Sequence, residues 1–141
     1  MSAHYNEPGP CTEQWSGLMN ALILEYAPTG SRIICNPPPT DTDYDILIRV
    51  PETKLGEFTC VAGDAGWKHE GAEHSHKYEE CRDFLSLRKG AFNLIVTDSE
   101  DFYRKFDAAT HVAKRLNLLN KQDRIALFQA VLYANKHEGN S

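Results

Sequence analysis

The chain has 141 residues and a mass of 15.9 kDa, with 41% hydrophobic and 25% charged residues, so it reads as one soluble globular domain without room for a second core. A formal net charge of -5 and a pI of about 5.6 exclude a general duplex-DNA binder, which displays a basic face. No apolar run reaches membrane-spanning length, and the scattered Cys11, Cys35, Cys60 and Cys81, with no secretory signal before them, point to reduced thiols in a cytoplasmic protein.

Residues 1–11 contain Pro8-Gly9-Pro10 and no periodicity, which predicts a flexible arm; the folded domain is expected over 12–137, with 138–141 a flexible end. Thr12 is a plausible helix N-cap with Glu13 in the first turn. Trp15, Leu18, Met19, Leu22, Ile23 and Tyr26 then make one helical stripe that Pro28 and Gly30 stop. Arg32 to Cys35 reads as a short strand, Asn36 to Thr42 as a proline-stiffened loop, and Tyr44 to Val50 as a strand covered on both faces or nearly so. Pro51 can open a short helix carrying Leu55, Phe58 and Val61 or Ala62 on one face.

A polar loop is expected from Gly63 to His76, and Tyr78 to Phe84 has no clear period. Phe84 to Arg88, Lys89-Gly90 and Ala91 to Thr97 read as strand, tight turn and strand. Thr97, Asp98 or Ser99 can cap a helix bearing Phe102, Phe106, Ala109, Thr110, Ala113 and Leu116. After a break at Asn117 to Asn120, a last helix runs from Lys121 to about Lys136. The sum is an α+β fold, a small mixed β-sheet with helices packed mainly on one face.

The chemistry concentrates between Gly30 and Ile48. Residues two apart on a strand share a face, so Asp43 and Asp45 present their carboxylates side by side. Two such charges repel, and a hard cation such as Mg2+ relieves the repulsion while retaining waters and taking phosphate oxygens. Gly30 allows close backbone approach to a ligand, and the Ser31 hydroxyl with nearby N–H groups can bind phosphate. Taken alone, Asp41, Asp43 and Asp45 are also ordinary turn residues entering a strand, and Asp41 is placed in the loop.

Gly30-Ser31, a variable loop, and Asp43-Tyr44-Asp45 opening an apolar strand resemble the motif of the nucleotidyltransferase superfamily with the polymerase-beta-type palm. Gly66-Trp67, Ser86-Leu87-Arg88, Asn93-Leu94-Ile95 and the stretch from Lys121 to Tyr133 extend the resemblance to small phage-encoded proteins assigned to that superfamily. The resemblance implies that Asp43 and Asp45 hold Mg2+, or Mn2+ in its place. A nucleoside triphosphate would bind there, and its nucleoside monophosphate would pass to an acceptor: a protein, a tRNA end or a small molecule.

The same resemblance implies a third acidic residue on a neighbouring strand, and its place is held by Asn93, an amide that brings no charge. Asp98, at that strand's end, could substitute or could simply cap the helix. Arg88 is either a triphosphate ligand or surface decoration; Lys89 reads as a turn residue, and Lys121 and Arg124 as a solvated helix start. His69, His74, His76 and Cys81 match no zinc spacing, and Trp67 reads as an anchor of its loop. Two readings follow: a Mg2+-dependent nucleotidyltransferase, or a weakly active or inactive protein of that fold that binds a nucleotide or a host protein. In either, a second copy of the chain is a partner that so small a domain could use to complete its site.

Overall fold

The computed structural model describes residues 15–39, 43–69 and 84–139. The expectations for the N-terminal arm and the Thr12 cap, for Asp41, for 70–83 with His74, His76 and Cys81, and for residues 140 and 141 lie outside the described residues. In order, the elements are α1 (Gly17–Leu22), β1 (Glu25–Thr29), α2 (Ser31–Ile34), β2 (Tyr44–Arg49), α3 (Leu55–Asp64), β3 (Lys68–His69), β4 (Phe84–Lys89), β5 (Phe92–Thr97), α4 (Glu100–Leu116) and α5 (Lys121–Gly139).

The fold is α+β. One sheet runs β1-β2-β5-β4-β3, with β2 and β5 parallel and every other pair antiparallel. The long helices α4 and α5, with α2, cover one face through Leu47, Ile95, Phe102, Phe106, Ala113, Phe128 and Leu132. Phe106 and Phe128 meet edge to face at 4.8 Å, which locks α4 onto α5. Short α1 and α3 pack on the other face, where Met19 and Phe58 meet Ile48, Leu94 and Val96. The run Ile46-Leu47-Ile48 is apolar throughout because β2 has helices on both sides.

Three stretches fold differently from their local pattern. The stripe from Trp15 to Tyr26 does not form one helix: α1 is capped by the Ser16 hydroxyl, which accepts from Met19 N at 3.1 Å, and stops at Leu22. Glu25–Thr29 then pairs with β2 as an edge strand. Trp15 and Tyr26 still meet edge to face at 5.1 Å, so the apolar stripe is buried by a helix and a strand together. Second, Arg32 to Cys35 is no strand, because β1 already occupies the edge of β2. Ile33 and Ile34 N–H groups both donate to Gly30 O at 3.0 Å, closing a single helical turn. Third, Lys68–His69 falls within the expected polar loop and pairs with β4.

The remaining differences are smaller. α3 begins at Leu55 after a turn in which Lys54 N donates to Pro51 O, four residues later than a helix opened by Pro51. Ser99 caps α4 by accepting from Phe102 N at 3.1 Å, and Asn117 ends it in the left-handed conformation, its side chain bonded to both Asn36 N and Asn36 O. Cys35 and Cys60 are free thiols. Among the described residues no helix is long and apolar enough to cross a membrane.

At the end of the sheet where β2 and β5 finish, Glu25 receives Arg49 Nε at 2.7 Å and Arg104 Nη2 at 2.8 Å. Burial pushes the Glu25 carboxyl up, but the hydrogen bonds and charges of Arg104 and Arg49 outweigh it and hold the group below its ordinary value of 4.5. This network ties β1, β2 and α4 together at the end opposite Asp45.

Candidate functional site

The strand register sets the site. Thr29 pairs with Asp45, Asp45 with Asn93, Asn93 with Arg88, and Arg88 with Lys68. Directly paired residues share a face, so these five polar side chains form one row across all five strands, on the face that carries α4. The row runs from a carboxylate at Asp45 to two cations at Arg88 and Lys68. The apolar core on this face takes from β4 only Phe84, at the far end of that strand, so the cationic half of the row lies beyond the core.

Gly30 joins the row from the loop side. Its φ of +83° turns the chain out of β1 into α2, in a region that side chains with a Cβ rarely adopt. A Cβ at this position would press on Oδ2 of Asp45 and lie 2.9 Å from its Cβ and Cγ. Both properties require glycine, and together they place the Gly30-Ser31 backbone against the Asp45 carboxylate. Beneath them Thr29 Oγ1 lies 2.7 Å from Thr110 Oγ1 on α4. The Thr110 hydroxyl donates its one proton to Phe106 O at 3.0 Å, so Thr29 is the donor between the two threonines.

The two aspartates have different neighbours. Asp43 Oδ2 accepts from Arg88 Nη1 at 2.8 Å in a half-exposed ion pair. Asp45 Oδ1 accepts from Asn93 Nδ2 at 3.1 Å. A carboxylate can only accept, which fixes the orientation of the Asn93 amide and leaves its buried Oδ1 without a hydrogen-bond partner among the described residues. Leaving such an acceptor unsatisfied costs about 1–3 kcal/mol. Beside this group Arg32 stacks on Tyr44 at 4.1 Å, and Tyr44 on Phe92 at 5.3 Å, bracing the strand positions next to Asp45 and Asn93.

The sequence resemblance implies Mg2+ at Asp43 and Asp45. Asp43 and Asp45 are hard oxygen donors of the kind Mg2+ takes, whereas Asn93 turns its Nδ2 and not its Oδ1 to Asp45. A third acid is not part of the site: among the described residues no group of three His, Cys, Asp or Glu side chains could hold a metal ion.

The structure brings together Gly30, Ser31, Asp43, Asp45, Arg88 and Asn93. It separates Asp98 from them. Asp98 follows the end of β5, five residues beyond Asn93 and so about 16 Å away if the chain stays extended, where Asp98 Oδ2 accepts from Thr53 N at 3.1 Å and holds a residue of positive φ. Asp98 is thus corrected from a substitute third acid to a loop anchor, while Ser99 caps the helix. Lys89 is more than a turn residue, since its Nζ donates to Ala65 O at 2.8 Å beyond α3. Arg124 is likewise not solvent-directed, since it donates to Leu118 O and Leu119 O at 2.9 and 2.8 Å. Trp67 is 3% exposed and packs in the core of the α3 face, as an anchor would.

Sequence reasoning missed Lys68 and Thr29. Lys68 lies in the stretch that the sequence predicts as a polar loop, and Thr29 between the Pro28 and Gly30 that stop the predicted helix. Neither had a local signal, because each enters the row only through a strand pairing distant in sequence. No family model matches the chain, and neither a curated protein nor a solved structure matches it significantly.

Proposed function

We propose that the chain is a divalent-cation-dependent nucleotidyltransferase that transfers a nucleoside monophosphate from a nucleoside triphosphate to an acceptor in the cytoplasm: a protein, a tRNA end or a small molecule. The observation that carries this reading is the packing of Gly30 against Asp45, which sets the backbone turn before Ser31 directly beside a carboxylate. In this reading Asp43 and Asp45 hold Mg2+, or Mn2+ in its place. The ion supplies neutralisation of triphosphate charge and acidification of the acceptor hydroxyl.

The protein's own groups do the rest. Ser31 and the backbone after Gly30 bind phosphate oxygens, and Arg88 and Lys68 receive the outer phosphates at the cationic end of the row. With Asn93 where a third carboxylate is expected, Asp43 and Asp45 are the only acids of the described site able to take the acceptor's proton. A second reading is favoured by Asn93 and by the Arg88–Asp43 ion pair: a protein of this fold that binds a nucleotide or a host protein without turnover, as a phage-encoded relative of such enzymes would.

Incubation with labelled ATP, GTP, CTP and UTP, Mg2+ or Mn2+ and a host lysate separates the readings. The first predicts a labelled acceptor that disappears for the Asp43→Ala, Asp45→Ala double variant. Equal labelling by that variant would contradict it, and nucleotide binding without any labelled product would favour the second.

A further inference from the structure

We propose that the outer face of α4 is a self-association surface, on which a second copy of the chain lays its own α4 antiparallel about a two-fold axis at Ala108. The surface is independent of the site at Asp43 and Asp45. Helix α4 buries Phe102, Phe106, Ala109 and Ala113 in the core that the sheet and α5 complete. A second stripe at helical spacing, Ala108, Val112 and Leu116, is exposed on its other side, Val112 at 43% and Leu116 at 60%. Leu119, 59% exposed, extends the stripe past the end of the helix. The solvent side of a helix ordinarily carries polar residues, so three large apolar side chains together mark a contact surface.

Charge identifies the occupant. At the N-terminal end of α4 the outermost charges are carboxylates: the Asp101 side chain is 77% exposed against 28% for Lys105, its partner at 3.1 Å. Glu100 is likewise more exposed than its partner Arg104, which also binds Glu25. At the C-terminal end Lys114 and Arg115 are exposed and make no ion pair among the described residues. Asp101 and Arg115 stand seven positions to either side of Ala108, each about two helical turns away along one face. Turning a second α4 over at Ala108 therefore sets Asp101 of each copy against Arg115 of the other, twice by symmetry. The small Ala108 side chains let the helices approach, and Val112 of one copy covers the aliphatic stem of the other's Arg104. A face one helix long is smaller than the roughly 800 Å² per partner of a stable interface, so the dimer is expected to be weak and concentration-dependent.

The test is sedimentation of the whole protein from micromolar to millimolar concentration at low salt. Wild type is expected to pass from monomer towards dimer over this range. Val112→Glu, which puts a charge into the middle of the contact, is expected to weaken association about tenfold or more, and Leu116→Glu serves if that variant does not fold. Asp101→Arg and Arg115→Asp each set like charges together at two symmetric places and are expected to weaken it about tenfold. Combining the two exchanges restores opposite charges across the axis and with them the wild-type association. Leu18→Glu, which alters an exposed leucine on α1, is the control and should change nothing. A wild type that stays monomeric at millimolar concentration overturns the proposal. A dimer weakened as much by Leu18→Glu as by Val112→Glu, or a double exchange that associates no better than either single variant, overturns the antiparallel seat on α4.

Discussion

Gly30 and Asp45, fifteen positions apart, touch so closely that the first has no room for even a methyl group beside the second. This contact joins the turn after β1 to the carboxylate on β2, and it makes the glycine answerable both for backbone shape and for the position of an acid. Gly30→Ala is therefore expected to cost about 1–3 kcal/mol from the strained φ and to displace Asp45, abolishing Mn2+ binding. Gly17→Ala is the control: it lies in α1 with nothing within 4 Å of an added Cβ, and should be neutral or stabilise by up to about 1 kcal/mol. Urea denaturation of both variants with a Mn2+ titration checks the contrast.

Asn93 gives a second handle on the same acids. Its Nδ2 donates to Asp45, while its Oδ1 has no partner among the described residues. Asn93→Asp replaces the donor by a like charge, so without divalent ions the variant should melt below wild type, by about 1–3 kcal/mol in stability. With a third carboxylate at the site, saturating Mg2+ or Mn2+ should restore that loss and raise the melting temperature of the variant more than that of wild type. Melting curves with and without Mn2+ measure both effects.

The threonine pair beneath the site is testable by a double-mutant cycle. Thr110→Val removes the acceptor of the buried Thr29 hydroxyl and is expected to cost about 1–3 kcal/mol. Adding Thr29→Val removes the stranded hydroxyl, so the double variant should be less destabilised than the sum of the two singles. Additive effects in urea denaturation would mean that the two hydroxyls do not depend on each other.

At the far end of the sheet, Glu25 predicts part of the acid response. Its folded pKa is held below 4.5 although burial acts in the opposite sense, because Arg104 and Arg49 bond to the carboxylate. A depressed carboxyl pKa contributes stability that is present above the unfolded value, near 4.5, and is lost as pH falls through the folded value. Glu25→Gln should therefore lower stability at pH 7 by about 1 kcal/mol, discounted because Arg104 is half exposed. The difference from wild type should shrink as the pH falls below 4.5, in urea midpoints measured across that range.

How much of this was legible in the chain depended on how local the determinants were. Gly30-Ser31 and the spacing of Asp43 and Asp45 are short-range features, and the sheet places them against one another. The strands on either side of Gly90 and the helix capped near Ser99 were readable for the same reason. Glu25–Thr29 was not, because its strand character comes from pairing with Arg49 to Asp45, while its apolar spacing continues that of α1. Arg32 to Cys35 carries β-branched residues that favour a strand, but β1 already takes the edge of β2 and leaves them to close a turn. Lys68 and the pairing of Arg88 with Asn93 exist only in the register of distant strands.

The most direct measurement is paramagnetic broadening of backbone amide signals on titrating the protein with Mn2+. If the acids beside the glycine turn grip a divalent ion, the amides of Gly30, Ser31, Asp43, Asp45 and Asn93 should broaden first, and Asp45→Asn should abolish the effect while Asp98 stays sharp throughout. Broadening spread evenly over surface carboxylates, or centred on Asp98 and Glu100, would contradict the account.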